Sequence, residues 1–262
     1  MYYQSRKRKK PILPKTNRDY KTDWFLADLT DIDKQIFEII QNFMNRTKAF
    51  RNKSLWAKYA IFLYLSGARR SEPFLSNPTI SKNSEDGITF YNITRTNEKH
   101  FVGKMQKREK IPQVFRAWNK YELALFNYLL DNKDRITIDF SLLLPPRSRK
   151  ILQTEDGEKY RDLTVLRNIM HDISQRFSGM FKANITNGEK IIKNGGIVPH
   201  QLRHIKAYEL WINKNLPPAL IQRLIGWKKL SMLEYYSYIS KAMQEKEMKQ
   251  IYKQMRTNNP LS

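Results

Sequence analysis

Cysteine is absent from the 262 residues, which excludes disulfides, thiolate nucleophiles and cysteine-ligated zinc and suits a reducing interior. No apolar run reaches the roughly 18 residues that a bilayer-spanning helix needs. The basic start of the chain is not followed by the apolar segment of a secretory signal. No membrane role is therefore expected, and a cytoplasmic location is, nucleoid-associated if the host is a prokaryote. Acidic residues are scarce: 25 Asp and Glu stand against 48 Lys and Arg, a net charge of +23 and a pI of about 10.0. That excess goes beyond what solubility requires and points to a polyanionic partner, nucleic acid first, although ribosomal proteins, nucleases and membrane-surface proteins share it. The 40% hydrophobic content is enough for a substantial core.

Residues 1–28 contain Arg6-Lys7-Arg8-Lys9-Lys10, Pro11, Pro14, Lys15, Arg18 and Lys21, with little periodic apolar content. This reads as a flexible basic arm that orders on an anion. Folded structure is expected from near Leu29. Ile32, Ile36, Ile39, Ile40 and Phe43 fall at helical spacing, with Thr30 or Asp31 as the cap. A second helical pattern, Leu55, Tyr59, Phe62, Leu63 and Leu65, runs into Ser66-Gly67-Ala68-Arg69, so Arg69 should stand where a buried helix ends. Between Asn77 and Pro112 short β-prone pieces, at 79–81, 88–94 and 101–102, alternate with turn signals and predict a small antiparallel sheet. Helical periodicity returns over 118–130 and 163–177; Pro145-Pro146 and Asn194-Gly195-Gly196 read as loops. Pro217-Pro218 should open a helix that Gly226 stops, and Ser231 to Glu234 has the capping-box pattern of another. The fold class expected is α+β, mainly α-helical.

The chemistry concentrates in a few residues. Arg69, His200, Arg203, Trp227 and Tyr236 together suit the metal-free breaking and rejoining of a phosphodiester. Guanidiniums offer planar forks of donors to phosphate oxygens and stay charged, so two of them can neutralise a pentacoordinate phosphorane. A phenol can then attack. His200 and Arg203, three residues apart, share one helix face. His200 and His204 also have a zinc-binding spacing, but Gln201 stands where a zinc protease motif needs glutamate. No metal or cofactor is expected.

Ser66-Gly67-Ala68-Arg69-Arg70-Ser71-Glu72 resembles the first box of the tyrosine recombinase (phage-integrase) family, Thr-Gly-hydrophobic-Arg-x-Ser-Glu. His200-Gln201-Leu202-Arg203-His204 resembles its second. Ile221 to Trp227 resembles the stretch that ends in Gly-His or Gly-Trp, and the family's nucleophilic tyrosine usually follows nine residues later, at Tyr236. The resemblance covers residues 29 to the C-terminus and implies a tyrosine-recombinase-like catalytic domain over 29–240, with an archaeal or viral-type integrase as one candidate. It implies that Arg69 and Arg203 bind the non-bridging oxygens while His200 and Trp227 complete the shell, and that Glu72 orients the Arg69 region. It also implies a lysine general acid in a β-hairpin. Gly103-Lys104-Met105-Gln106-Lys107 to Ile111-Pro112 fits that turn and makes Lys104 the choice, with Lys99 and Lys107 as alternatives. Spacing selects Tyr236 over Tyr235 and Tyr238.

Departures from the pattern are Ser66 for threonine, Pro73 after Glu72, and a long gap from Arg69 to Lys104. The family normally carries a separate helical core-binding domain ahead of the catalytic one. Here a truncation, a natural minimal member or a second DNA clamp obtained elsewhere is expected. The implied function is a site-specific recombinase or integrase acting through a 3′-phosphotyrosine intermediate on double-stranded DNA, as a tetramer at synapsis. A type IB topoisomerase-like or hairpin-forming strand transferase and a catalytically silent DNA-binding protein are the alternatives. The apolar stripe Met243, Met248, Ile251, Tyr252 and Met255 makes 241–262 a tail helix, docked on its own domain or on a neighbouring protomer.

Overall fold

Every residue from Trp56 to Ser66 is buried, which is what a helix with no polar stripe must do in water. This helix, α2 (Lys53–Ser66), is the centre of the molecule, and α1 (Ile32–Met44), α4 (Lys120–Leu130) and α7 (Pro199–Tyr208) pack around it. The structure, a computed structural model, describes residues 25–46, 50–75, 77–97, 100–101, 104–105, 109–153, 163–187 and 190–227. The remaining helices are α3 (Glu72–Leu75), α5 (Pro146–Gln153), α6 (Leu163–Met180) and α8 (Pro218–Ile225), with a 3-10 turn at Phe140–Leu143. Among the described residues no helix is long and apolar enough to cross a membrane.

Strands β2 (Thr79–Glu85), β3 (Ile88–Asn97), β6 (Glu109–Phe115) and β7 (Arg135–Thr137) form an antiparallel sheet in the order β6-β3-β2-β7. The β4 (His100–Phe101) and β5 (Lys104–Met105) pair lies between β3 and β6 in the chain. A mainly helical α+β architecture with a small antiparallel sheet is thus present, as expected.

A second antiparallel sheet, β1-β8-β9, joins β1 (Phe25–Leu26), β8 (Lys182–Asn187) and β9 (Lys190–Gly196). Here the sequence reading is corrected, because Asn194-Gly195-Gly196 ends a strand instead of forming a loop. The glycines serve close approach. A Cβ on Gly195 would stand 2.3 Å from Ile185 Cδ1, and one on Gly196 would stand 2.0 Å from Ser178 Oγ. Phe25 and Leu26 are already strand residues, ahead of the start expected near Leu29.

The first helix also begins differently. Asp31 lies in the left-handed region at φ 44° and makes no capping bond. Instead Asp28 accepts from the Thr30 N–H at 2.8 Å, and the Gln35 amide donates to the Thr30 carbonyl at 2.6 Å. At the other end of the core, α2 stops at Gly67, φ 59°, and a Cβ there would lie 2.4 Å from Ile225 Cδ1. Gly67→Ala should therefore lose roughly 2–4 kcal/mol of stability, left-handed strain plus overpacking, as measured by urea unfolding.

Candidate active site

Two chain segments separated by more than a hundred residues meet at the Gly67 turn. Pro199 opens α7, and the Gln201 side chain accepts from the Val198 N–H at 2.7 Å, tying down the helix start. One turn later Arg203 is buried, and its Nη1 donates to the Gly67 carbonyl at 2.5 Å. The second box is thereby bonded to the turn that carries the first. Arg69 follows two residues after Gly67; its side chain is 39% exposed, and its N–H donates to Glu72 Oε2 at 3.0 Å. Arg70 donates to Ser174 Oγ of α6 at 3.0 Å, while the buried Tyr59 hydroxyl donates to the Arg70 carbonyl at 2.8 Å.

His200 lies in the field of all three arginines. Desolvation by the surrounding protein, then repulsion from Arg203, Arg70 and Arg69, lowers its pKa to about 4, although the residue as a whole is exposed. His204 meets it edge to face, with ring centroids 4.5 Å apart. Burial, with His200 and Arg203 beside it, lowers His204 to about 3. Both imidazoles are therefore neutral at pH 7, and His200 can accept a proton. Folded, the pair binds fewer protons than the unfolded chain does below the ordinary histidine value of about 6.5. Stability should be full above that pH and fall as pH drops toward 4, and His204→Gln should flatten the slope in thermal unfolding across this range.

Behind Arg69 is a buried polar network that lies outside the sequence motifs. Glu72 and Arg95 of β3 form a fully buried ion pair. Burial disfavours the Arg95 cation, Glu72 offsets this, and Arg69 opposes it again, leaving its pKa lowered. Arg95 Nε donates to Gln113 Oε1 of β6 at 3.1 Å, and its Nη2 donates to the Ile225 carbonyl at 2.9 Å. Gln113 in turn donates to the carbonyls of Leu224 and Ser66. Arg95 and Gln113 thus meet orphan carbonyls at the ends of α8 and α2, where a cation also complements the helix dipole. Trp227, two residues past Ile225, is buried, and its N–H donates to the Gln222 carbonyl at 3.0 Å. The signal for Arg95 was available in strand register: Tyr91, Ile93 and Arg95 alternate on the buried face of β3.

The far end of α7 is held by charge. Lys206 donates to Glu122 at 2.5 Å. Lys214 contacts Asp33 at 3.0 Å, Glu122 at 3.2 Å and Glu209 at 3.7 Å. The Tyr64 hydroxyl donates to Asp33 at 2.5 Å. A π-helical turn at Glu209–Asn213 continues α7 through this cluster. Removing one partner of so buried a set would leave an uncompensated charge, so it fixes α7 firmly along its axis.

Of the other candidates, Lys104 opens β5, its backbone paired with Phe101. Lys99, Lys107, Tyr235, Tyr236, Tyr238, the arm over 1–24 and the tail over 241–262 lie outside the described residues.

No protein-family model matches the chain, and no curated protein is detectably similar to it. Among solved structures it is similar to the XerH site-specific recombinase bound to difH substrate in a pre-cleavage complex. That match has 15% identity and a TM-score of 0.40, over 82% of this chain and 50% of that one. For XerH bound to palindromic difH substrate in a post-cleavage complex the values are 16%, 0.41, 84% and 51%. A variant of protelomerase tela covalently complexed with substrate DNA gives 15%, 0.36, 78% and 57%. The chain spans about half the length of the XerH chains it resembles.

Proposed function

We propose that this chain is a tyrosine-type DNA strand transferase, used as a site-specific recombinase or integrase. The observation that carries the reading is the bond from Arg203 to the Gly67 carbonyl, with His200 held in the field of Arg203, Arg70 and Arg69. Such a cluster of cations around a neutral imidazole suits a phosphodiester more than a neutral ligand. In the proposed reaction Tyr236 attacks the scissile phosphorus and passes its phenolic proton to His200. The P–O5′ bond breaks, leaving a 3′-phosphotyrosine, and Lys104 protonates the departing 5′ oxygen. Arg69 and Arg203 stabilise the equatorial oxygens of the phosphorane, and Trp227 completes the shell. A 5′ hydroxyl from another strand reverses the step, so no ATP is consumed. Double-stranded DNA is the partner, with a tetramer at synapsis; the narrower expectation of an archaeal or viral-type integrase rests on the motifs alone.

The test is incubation with nicked suicide duplexes carrying candidate sites, followed by a denaturing gel. A covalent adduct is expected, and joined products will separate strand exchange from resealing or hairpin formation. A mobility shift without any adduct would replace the reading by the silent DNA-binding protein. Cleavage is also expected to survive EDTA, because guanidiniums supply the positive charge. Complete inhibition reversed by added metal would overturn the mechanism.

A further inference from the structure

Glu72 has two cationic neighbours of different standing. Its Oε2 is held by the buried Arg95 and by the Arg69 N–H. Its Oε1 is buried with no hydrogen-bond partner and faces Arg69 Nη1 at 3.6 Å, beyond hydrogen-bonding range. A buried carboxylate with only one cation beside it closes on that cation, and a guanidinium–carboxylate pair is bidentate and short. We propose that Arg95 is a positioning residue, which captures the Glu72 carboxylate from behind and so keeps it from clamping the Arg69 guanidinium that binds phosphate. Arg95 is well placed for this. Its backbone is fixed in β3, its Nε is held by Gln113, and its Nη2 is held by the carbonyl end of α8, so it cannot follow Glu72 toward the site. Without Arg95, Glu72 becomes an internal competitor of the phosphate.

The proposal deepens the strand-transferase reading, but its first test does not depend on that activity. Binding of inorganic phosphate is measured calorimetrically, taking as site-specific the part that Arg69→Ala removes. Arg95→Met should weaken that binding about tenfold or more, since Glu72 then closes on Arg69. Adding Glu72→Gln to Arg95→Met removes the competing charge and should bring affinity back to within about threefold of the starting protein. A purely structural pair would also be relieved by the second substitution, because a stranded charge is removed. Thermal unfolding is therefore measured alongside, and affinities are compared among variants that are folded at the assay temperature. There a structural pair leaves phosphate affinity unchanged, whereas the competition lowers and restores it. An Arg95→Met protein with unchanged affinity, or a double variant no better than the single, would overturn the proposal.

If Arg95→Met does not fold, Arg95→Lys takes its place, because it keeps a cation beside Glu72. Retention within about threefold supports the competition, and a tenfold loss in a folded protein sinks it. On suicide duplexes the same variants should rank in the same order by single-turnover adduct rate. A wild-type protein that obeys the phosphate order yet never forms an adduct leaves the competition standing and removes strand transfer instead.

Discussion

Tyr236→Phe should abolish the covalent adduct while leaving DNA affinity nearly intact. In the proposed reaction the phenolic oxygen is itself the atom that bonds to phosphorus, so its removal deletes the reaction and not merely a contribution to it. The charges proposed to hold the phosphate reside elsewhere, in Arg69 and Arg203. Tyr235→Phe should cleave normally, because the nine-residue spacing from Trp227 selects Tyr236 as the proposed nucleophile. A gel assay combined with mass spectrometry of the adduct checks both. An adduct that persists in Tyr236→Phe and maps to another tyrosine would sink the nine-residue spacing from Trp227 as the guide to the nucleophile.

Arg69→Ala and Arg203→Ala should each slow single-turnover cleavage by roughly a hundredfold or more, the scale of losing one preorganised donor to developing charge. Lysine should rescue poorly at either position, since it lacks the planar fork. The structure separates the two in stability. Arg69 is 39% exposed, and its loss should leave the melting temperature nearly unchanged. Arg203 is buried and meets the Gly67 carbonyl, so its removal strands a buried acceptor and should cost about 1–3 kcal/mol as well. Thermal unfolding alongside the rate measurement checks this split. Wild-type cleavage by either alanine variant would remove that residue from the site.

Much of the helical frame was legible in the sequence because apolar spacing alone dictates it. The all-round apolar α2, its stop at Gly67 and the Pro218–Gly226 limits of α8 are local signals. The Arg203 contact with the Gly67 turn has no local signal: the two boxes are linked in sequence only by the family pattern, and the bond joins residues 136 apart in the chain. What escaped reading was non-local. The β8–β9 hairpin was hidden because glycine signals a turn by default, whereas Gly195 and Gly196 are there to let Ile185 and Ser178 come close. Arg95 and Gln113 were hidden because a polar residue in a strand is ordinarily assigned to the solvent side. Only the inward phase set by Tyr91 and Ile93 places Arg95 in the core. Arg70 was read past as the variable position of its box, and nothing in its own segment points to Ser174 of α6.

The Glu72–Arg95–Gln113 network bears on how such a chain can diverge. Each member satisfies another that has no access to water, so a substitution at one leaves a charge or donor stranded at the next. Drift at these three positions must then be concerted, passing through a pairwise exchange or not occurring at all. A descendant that had replaced the trio with apolar residues could keep its core. On the proposed reading it would also have released Arg69 from its only buried carboxylate neighbour among the described residues, and phosphate affinity would be retuned by a change made entirely behind the binding surface.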